Sequence, residues 1–155
     1  MFTIVVPLVL LANGLAAGVL VGTWLGGWPL LADLPPDRYV HAHAFFATRY
    51  DPFMPGCLLV ATAGDVVLGV LTGTAAARLA YLGAAALCAV TIAISLAKNV
   101  PVNKWVRSLD PDRLPANFAE LDPRPRWGAW NRVRTALSTS AFLLNCAALP
   151  LVLAR

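Results

Sequence analysis

Four apolar stretches organise the chain, at residues about 2–31, 53–74, 79–97 and 135–154. A helix needs roughly 20 apolar residues to cross the hydrocarbon core of a bilayer, and each stretch is close to that length or beyond it. In hydrocarbon every backbone N–H and C=O must be satisfied within the protein, so such a stretch folds as a helix. The sequence therefore predicts an all-α membrane protein, a four-transmembrane-helix up-down bundle. A long structured loop, residues about 98–134, joins helices 3 and 4. Composition agrees: 59% of residues are hydrophobic and 13% charged, where soluble domains are about a quarter charged. With no internal repeat or low-complexity tract, residues 1–155 read as one integral membrane domain.

The distribution of charge sets an expected orientation. The first loop, residues about 32–52, holds Arg38 and Arg49. The long loop holds Lys98, Lys104, Arg107, Arg113, Arg124, Arg126, Arg132 and Arg134. Only Arg78 and Arg155 fall on the other side. Basic residues collect on the cytoplasmic face, so both larger loops are expected in the cytoplasm, both termini outside, and the protein in the cytoplasmic (inner) membrane. The same placement argues against nucleic acid as the reason for a pI near 9.3. The first basic residue is Arg38, so no positive region precedes the first apolar stretch. A cleaved leader would carry one, and that stretch is expected to stay as a helix. Cys57, Cys88 and Cys146 all lie in apolar segments without a CxxC pair, and read as small core residues.

Few polar groups interrupt the spans. Span one carries Gly14, Gly18, Gly22 and Gly26 at intervals of four. This is a bare helical stripe expected to pack against another helix. Asn13 is its only strongly polar side chain, and either bonds between helices or lines a cavity. Asp65 sits about 18 Å along its helix from Phe53. A carboxylate at that depth is a functional candidate or a tie between helices, with Asn13 and Asn145 as partners by depth. Thr91 and Ser95 are mild polar points in span three.

The two polar segments carry the candidate chemistry. In the first, residues 39–50 suit a short interfacial helix after Pro35 and Pro36. It holds the only histidines, His41 and His43, which point to different sides if the segment is helical. An HxH pair alone is a weak metal signal. In the second, Pro101, Pro111, Pro115, Pro123 and Pro125 break the chain into short pieces. Asn99 before Val100-Pro101 suits a helix cap, a reading that leaves Asn103 unexplained. From Pro125 onward, helical spacing aligns Trp127, Asn131, Arg134 and Ser138. Those side chains either anchor the interface or lead a polar stripe into the bundle.

The pattern Asn99-Val100-Pro101-Val102-Asn103, then Arg126-Trp127, then Asn131-Arg132-Val133-Arg134-Thr135, resembles the anthrone oxygenase family. Tyr39, His43, Arg49-Tyr50-Asp51-Pro52 and Met54-Pro55 in the first loop resemble one bacterial branch of it. The resemblance implies a four-helix membrane fold and oxidation of an anthrone to an anthraquinone by O₂, without flavin or haem. A lipophilic anthrone- or quinol-like molecule would be the substrate. Such chemistry needs a base, donors for a developing oxyanion, and a flat apolar slot. His43 is the candidate base, and Asn99, Asn103 and Arg134 are candidate donors. Trp127 and Trp130 are candidates to stack on rings, and Asn131, Arg49, Asp65 and Asn13 complete the candidate substrate-facing set. No glycine-rich nucleotide fingerprint appears. Two other readings stand beside this one. One is a non-enzymatic carrier or assembly protein for a small lipophile. The other is a metal-dependent membrane enzyme using His41, His43 and Asp51.

Overall fold

The computed structural model describes residues 1–153 and, among them, contains helices and no strand. The expectations for Ala154 and Arg155 fall outside that range. Helix α1 spans Phe2–Gly22 and continues through a wide π-helical turn, Thr23–Gly27, into α2, Trp28–Asp33. Helix α3 runs Pro36–Leu71. Helix α4, Ala75–Ile94, passes through a second π turn, Ser95–Asn99, into α5, Val100–Arg107. A short α6, Phe118–Leu121, precedes α7, Arg124–Leu153. The long helices pack in a ring, with α1 against α3 and α7, and α4 against α3 and α7. All four helical stretches are long and apolar enough to cross a membrane. The protein is an integral membrane four-helix bundle, and its outward faces carry exposed Leu8, Leu11, Leu59, Leu79 and Leu143, as lipid contact requires.

The expected loops are mostly helix. Helix α3 has 36 residues, about 54 Å at 1.5 Å per residue, against roughly 30 Å of hydrocarbon. It therefore begins well before the expected span and takes up residues 36–52, absorbing Pro52 and Pro55 without a break. The long loop shrinks in the same way. Residues 98–107 continue the third span beyond α4, residues from 124 begin α7, and only 108–123 lie between. Charge marks where a chain leaves the apolar core, but a helix continues past that point when its projecting end finds neighbours. Here it does: Leu31, Tyr39, Val40, Val102, Val106, Phe118 and Trp127 form an apolar cluster over the projecting ends.

Both π turns share one local sequence logic. Thr23 and Ser95 open them, and each hydroxyl donates to the carbonyl four residues back, to Val19 O at 2.7 Å and Thr91 O at 2.7 Å. Such back-bonding loosens a helix. Six residues on, Pro29 and Pro101 lack the N–H that would hold the preceding turn. The widened turns lie at the same end of the bundle, and π turns recur at functional sites.

The glycine stripe departs from expectation. A side chain at Gly14 would meet the Phe142 ring at 3.2 Å, whereas nothing lies within 4 Å of one at Gly18, Gly22 or Gly26. These three are exposed and floor an open groove of about 590 Å³ instead of packing on a helix. Close approach occurs elsewhere: Gly64 of α3 receives Val9 of α1, and Gly128 of α7 receives the indole of Trp28. Below the projecting ends, Ala12, Ala16, Leu20, Met54, Leu58 and Ala61 pack with Ala84, Cys88 and Ala141. The three cysteines are free, with Cys88 buried.

Candidate active site

Between the apolar cluster of the projecting ends and the core below it lies a hollow of about 110 Å³. A closed cavity of about 150 Å³ takes up one benzene, so the hollow alone holds about one ring, and a fused-ring aromatic would extend from it into the groove beside it. Leu20, Leu31, Phe46, Met54, Leu58, Ile92 and Leu96 form its apolar wall. The polar wall is His43 and Asp51 from α3, Asn99 and Asn103 from the second π turn and α5, and Trp127, Asn131 and Arg134 from α7. The groove along Gly18, Gly22 and Gly26 adjoins it, sharing Thr23, Leu31, Phe46 and Tyr50.

Helical geometry delivers each polar group. On α3, His43 faces inward and is 2% exposed, while His41 faces outward. Asp51 lies two turns below His43 on nearly the same face. On α7, Trp127, Asn131, Arg134 and Ser138 are all buried, as their spacing of four, three and four dictates. Ser138 lies below the lining residues.

Asn103 is where these elements meet. Its Oδ1 accepts from Trp127 Nε1 at 2.9 Å and lies 3.0 Å from His43 Nε2. Its Nδ2 donates to Asp51 Oδ1 at 3.0 Å. Asn99 does not cap a helix. It sits in helical conformation, and its Nδ2 donates to the Trp127 carbonyl at 3.3 Å. Both amides expected to offer N–H groups to a ligand thus have an N–H engaged with protein. Among the described residues, four buried polar atoms of lining side chains have no partner: His43 Nδ1, Asn99 Oδ1, Asn131 Nδ2 and Arg134 Nε. The side chains that line the hollow beside its apolar wall thus keep four polar atoms that no group among the described residues pairs. Arg134 is 8% exposed, and a guanidinium so far from water is costly unless something anionic or polar faces it.

Aromatic rings brace the site. Tyr39 and Trp127 each meet the His43 ring edge-to-face, at 5.3 and 5.1 Å. Trp28 packs on Trp127 at 5.6 Å in the space that Gly128 leaves. Arg124 clamps Asp122 at 2.6 Å, donates to the carbonyls of Ala32 and Leu34, and covers the Tyr39 ring. Sequence reasoning passed over Trp28 and Arg124, and weighed Asp51 only as a metal ligand. The proline-bounded entry to α7 was the one available sign that Arg124 holds a junction.

Several candidates lie elsewhere. Arg49 is exposed on α3, its guanidinium over the Phe45 ring at 3.5 Å. Trp130 is turned away, with Lys98 Nζ 5.5 Å from its ring. Asp65 lies about 10 Å further along α3 than Leu58, the deepest lining residue of that helix. It accepts from Asn145 Nδ2 at 3.3 Å. Asn13 is fully buried with neither amide atom paired among the described residues. His41, His43 and Asp51 do not converge as ligands, since His41 points outward and Asp51 holds Asn103. Among the described residues, no three His, Cys, Asp or Glu side chains gather as a metal would require.

No curated protein and no solved structure matches the chain. The family model described as anthrone oxygenase matches residues 43–144, from the buried histidine at the hollow to the last helix. The match spans well over half of the chain, which belongs to the anthrone oxygenase family.

Proposed function

We propose that the protein is a membrane-embedded oxygenase that oxidises a lipophilic anthrone- or quinol-like aromatic with O₂, using His43 as base. One observation carries the reading. A buried imidazole nitrogen and two donor groups, none with a protein partner among the described residues, belong to side chains that line one hollow together with an apolar wall. A planar aromatic with an acidic C–H and a carbonyl matches that arrangement. Family membership supports an oxygenase reaction.

In this mechanism His43 takes one proton from the benzylic carbon across the ring from the carbonyl. The resulting anion delocalises onto the carbonyl oxygen, where Arg134, with Asn131 beside it, donates hydrogen bonds. Donors already fixed where charge develops lower the barrier most. The anion passes one electron to O₂, and the radical pair joins through a new carbon–oxygen bond. The proton returns from His43 to the peroxide. The second benzylic hydrogen then leaves with the outer oxygen as water, and the O–O bond breaks. One oxygen atom ends in the quinone and one in water, with no other reductant required. Trp127 and Phe46 supply ring surface. No flavin, haem or metal enters this scheme. A molecule dissolved in the bilayer reaches the hollow most directly along the glycine groove. The excess of basic residues around the hollow's end of the bundle supports a cytoplasmic position for that end, in an inner membrane.

Purified protein in detergent, given an anthrone under ¹⁸O₂, should form the anthraquinone faster than buffer alone, with one labelled oxygen. His43→Ala should slow it by about 10²-fold or more. Binding without conversion would overturn the oxygenase reading and leave a lipophile carrier. Label entering from water would overturn the mechanism.

A further inference from the structure

We infer that Asn103, anchored by Asp51 and Trp127, is a positioning residue that holds His43, a side chain of the hollow's wall, in one tautomer, with the proton on Nε2 and the lone pair on Nδ1. The catalytic meaning of this rests on the proposed function, but the tautomer itself follows from which groups can donate. An indole N–H can only donate. The Asn103 atom 2.9 Å from Trp127 Nε1 is therefore its oxygen. An ionised carboxylate can only accept, so the Asn103 atom 3.0 Å from Asp51 Oδ1 is its nitrogen. Oxygen and nitrogen of an amide are ordinarily interchangeable assignments. Here two independent neighbours demand the same one.

The consequence passes to the histidine. The amide atom 3.0 Å from His43 Nε2 is the oxygen, and two acceptors cannot bond. Nε2 therefore carries the hydrogen, and in the neutral ring the free lone pair belongs to Nδ1. That nitrogen is buried without a partner among the described residues. Turning the ring over would set carbon against the amide oxygen and lose the bond. The edge contacts of Tyr39 and Trp127, both at 70°, hold the ring plane.

This reassigns Asn103. Its oxygen is shared by two N–H groups and one of its two amide hydrogens is tied to Asp51, so it holds the histidine in place and has one N–H left to donate. When His43 accepts a proton at Nδ1, the ring becomes cationic and its Nε2–H bond to the amide strengthens. The Asp51 carboxylate behind the amide then faces that charge. An amide does not relay protons at such a position, so Asp51 orients and stabilises without taking the proton.

The test is ¹⁵N NMR of the histidine side chain in ligand-free, detergent-solubilised protein, in a His41→Gln background that leaves one histidine. The inference predicts a roughly tenfold or greater preference for Nε2–H over Nδ1–H, since the other form forfeits a buried hydrogen bond. A dominant Nδ1–H form overturns it. Asn103→Leu should reduce the preference to the few-fold bias of a free imidazole, with circular dichroism reporting the fold. Should that variant not fold, Trp127→Phe combined with Asp51→Ala removes both anchors yet keeps Asn103 and the aromatic packing. It too should yield mixed tautomers, and an unchanged Nε2–H preference there overturns the role of the anchors. The measurement uses no substrate. Finding Nε2–H without any anthrone turnover would therefore uphold this inference while the oxygenase reading fell.

Discussion

The bundle buries two sets of polar side chains, and they differ in kind. Near the projecting ends, His43, Asn103, Asp51 and Trp127 form a branched network of contacts between 2.9 and 3.0 Å, drawn from α3, α5 and α7. A hollow lies beside them. Deeper down, Asp65 and Asn145 share one 3.3 Å contact, and Asn13 and the Tyr81 hydroxyl stand unpaired among the described residues. Nothing in the deep set lines the hollow. Polar burial in a membrane is costly in both places. What separates the two is convergence on a space that a second molecule can fill. The upper set surrounds such a space, whereas the deep set has one contact, between α3 and α7.

Substitutions can break or sharpen that contrast. The largest effect is expected from Arg134→Leu, which removes the charge facing the hollow and should lower kcat by about 10²–10³-fold. Turnover assays on folded protein would check it, and a loss confined to stability would move Arg134 into the structural set. Next comes Gly128→Ala. The new methyl meets the Trp28 ring that braces Trp127, and overpacking of this kind costs about 1–3 kcal/mol. A lower thermal midpoint in detergent is the expected reading. Asp65→Asn keeps a partner for Asn145 and lies far from His43, about 33 Å along α3. Turnover should stay within about twofold, as distant sites act independently. A large loss would show that the deep set serves the reaction. An effect just as small is expected from Arg49→Ala. Its guanidinium covers the exposed Phe45, and both stability and turnover should change by no more than about 0.5 kcal/mol equivalent.

The sequence made some of this visible and hid the rest for identifiable reasons. Four spans and an all-helical bundle followed from apolar length alone. The inward stripe of Trp127, Asn131, Arg134 and Ser138 was legible because helical periodicity within one segment decides it. The same periodicity separated His43 from His41. The centre of the site was not legible. Asn103 meets Asp51 across 52 positions and Trp127 across 24, and no local pattern encodes such pairings. Charge led to loops where projecting helices stand, because a membrane boundary and a helix end are different things. The Gly18, Gly22 and Gly26 stripe looked like a packing seam, since spacing reports a bare face without saying what lies opposite. The repeated Ser/Thr-to-proline spacing at Thr23–Pro29 and Ser95–Pro101 was present in the sequence and marks both widened turns. Its meaning emerges only when the two turns are seen at one level of the bundle.

The most direct test is to locate the product. The structure of the protein bound to anthraquinone in a lipid nanodisc should show the tricycle reaching from the adjoining groove into the hollow, against Trp127 and Phe46. One carbonyl oxygen should lie within hydrogen-bond distance of Arg134, and the opposite ring position should face His43 Nδ1. A ligand bound outside the bundle, or beside Asp65 with the upper hollow unchanged, would contradict the assignment of the reaction to these residues.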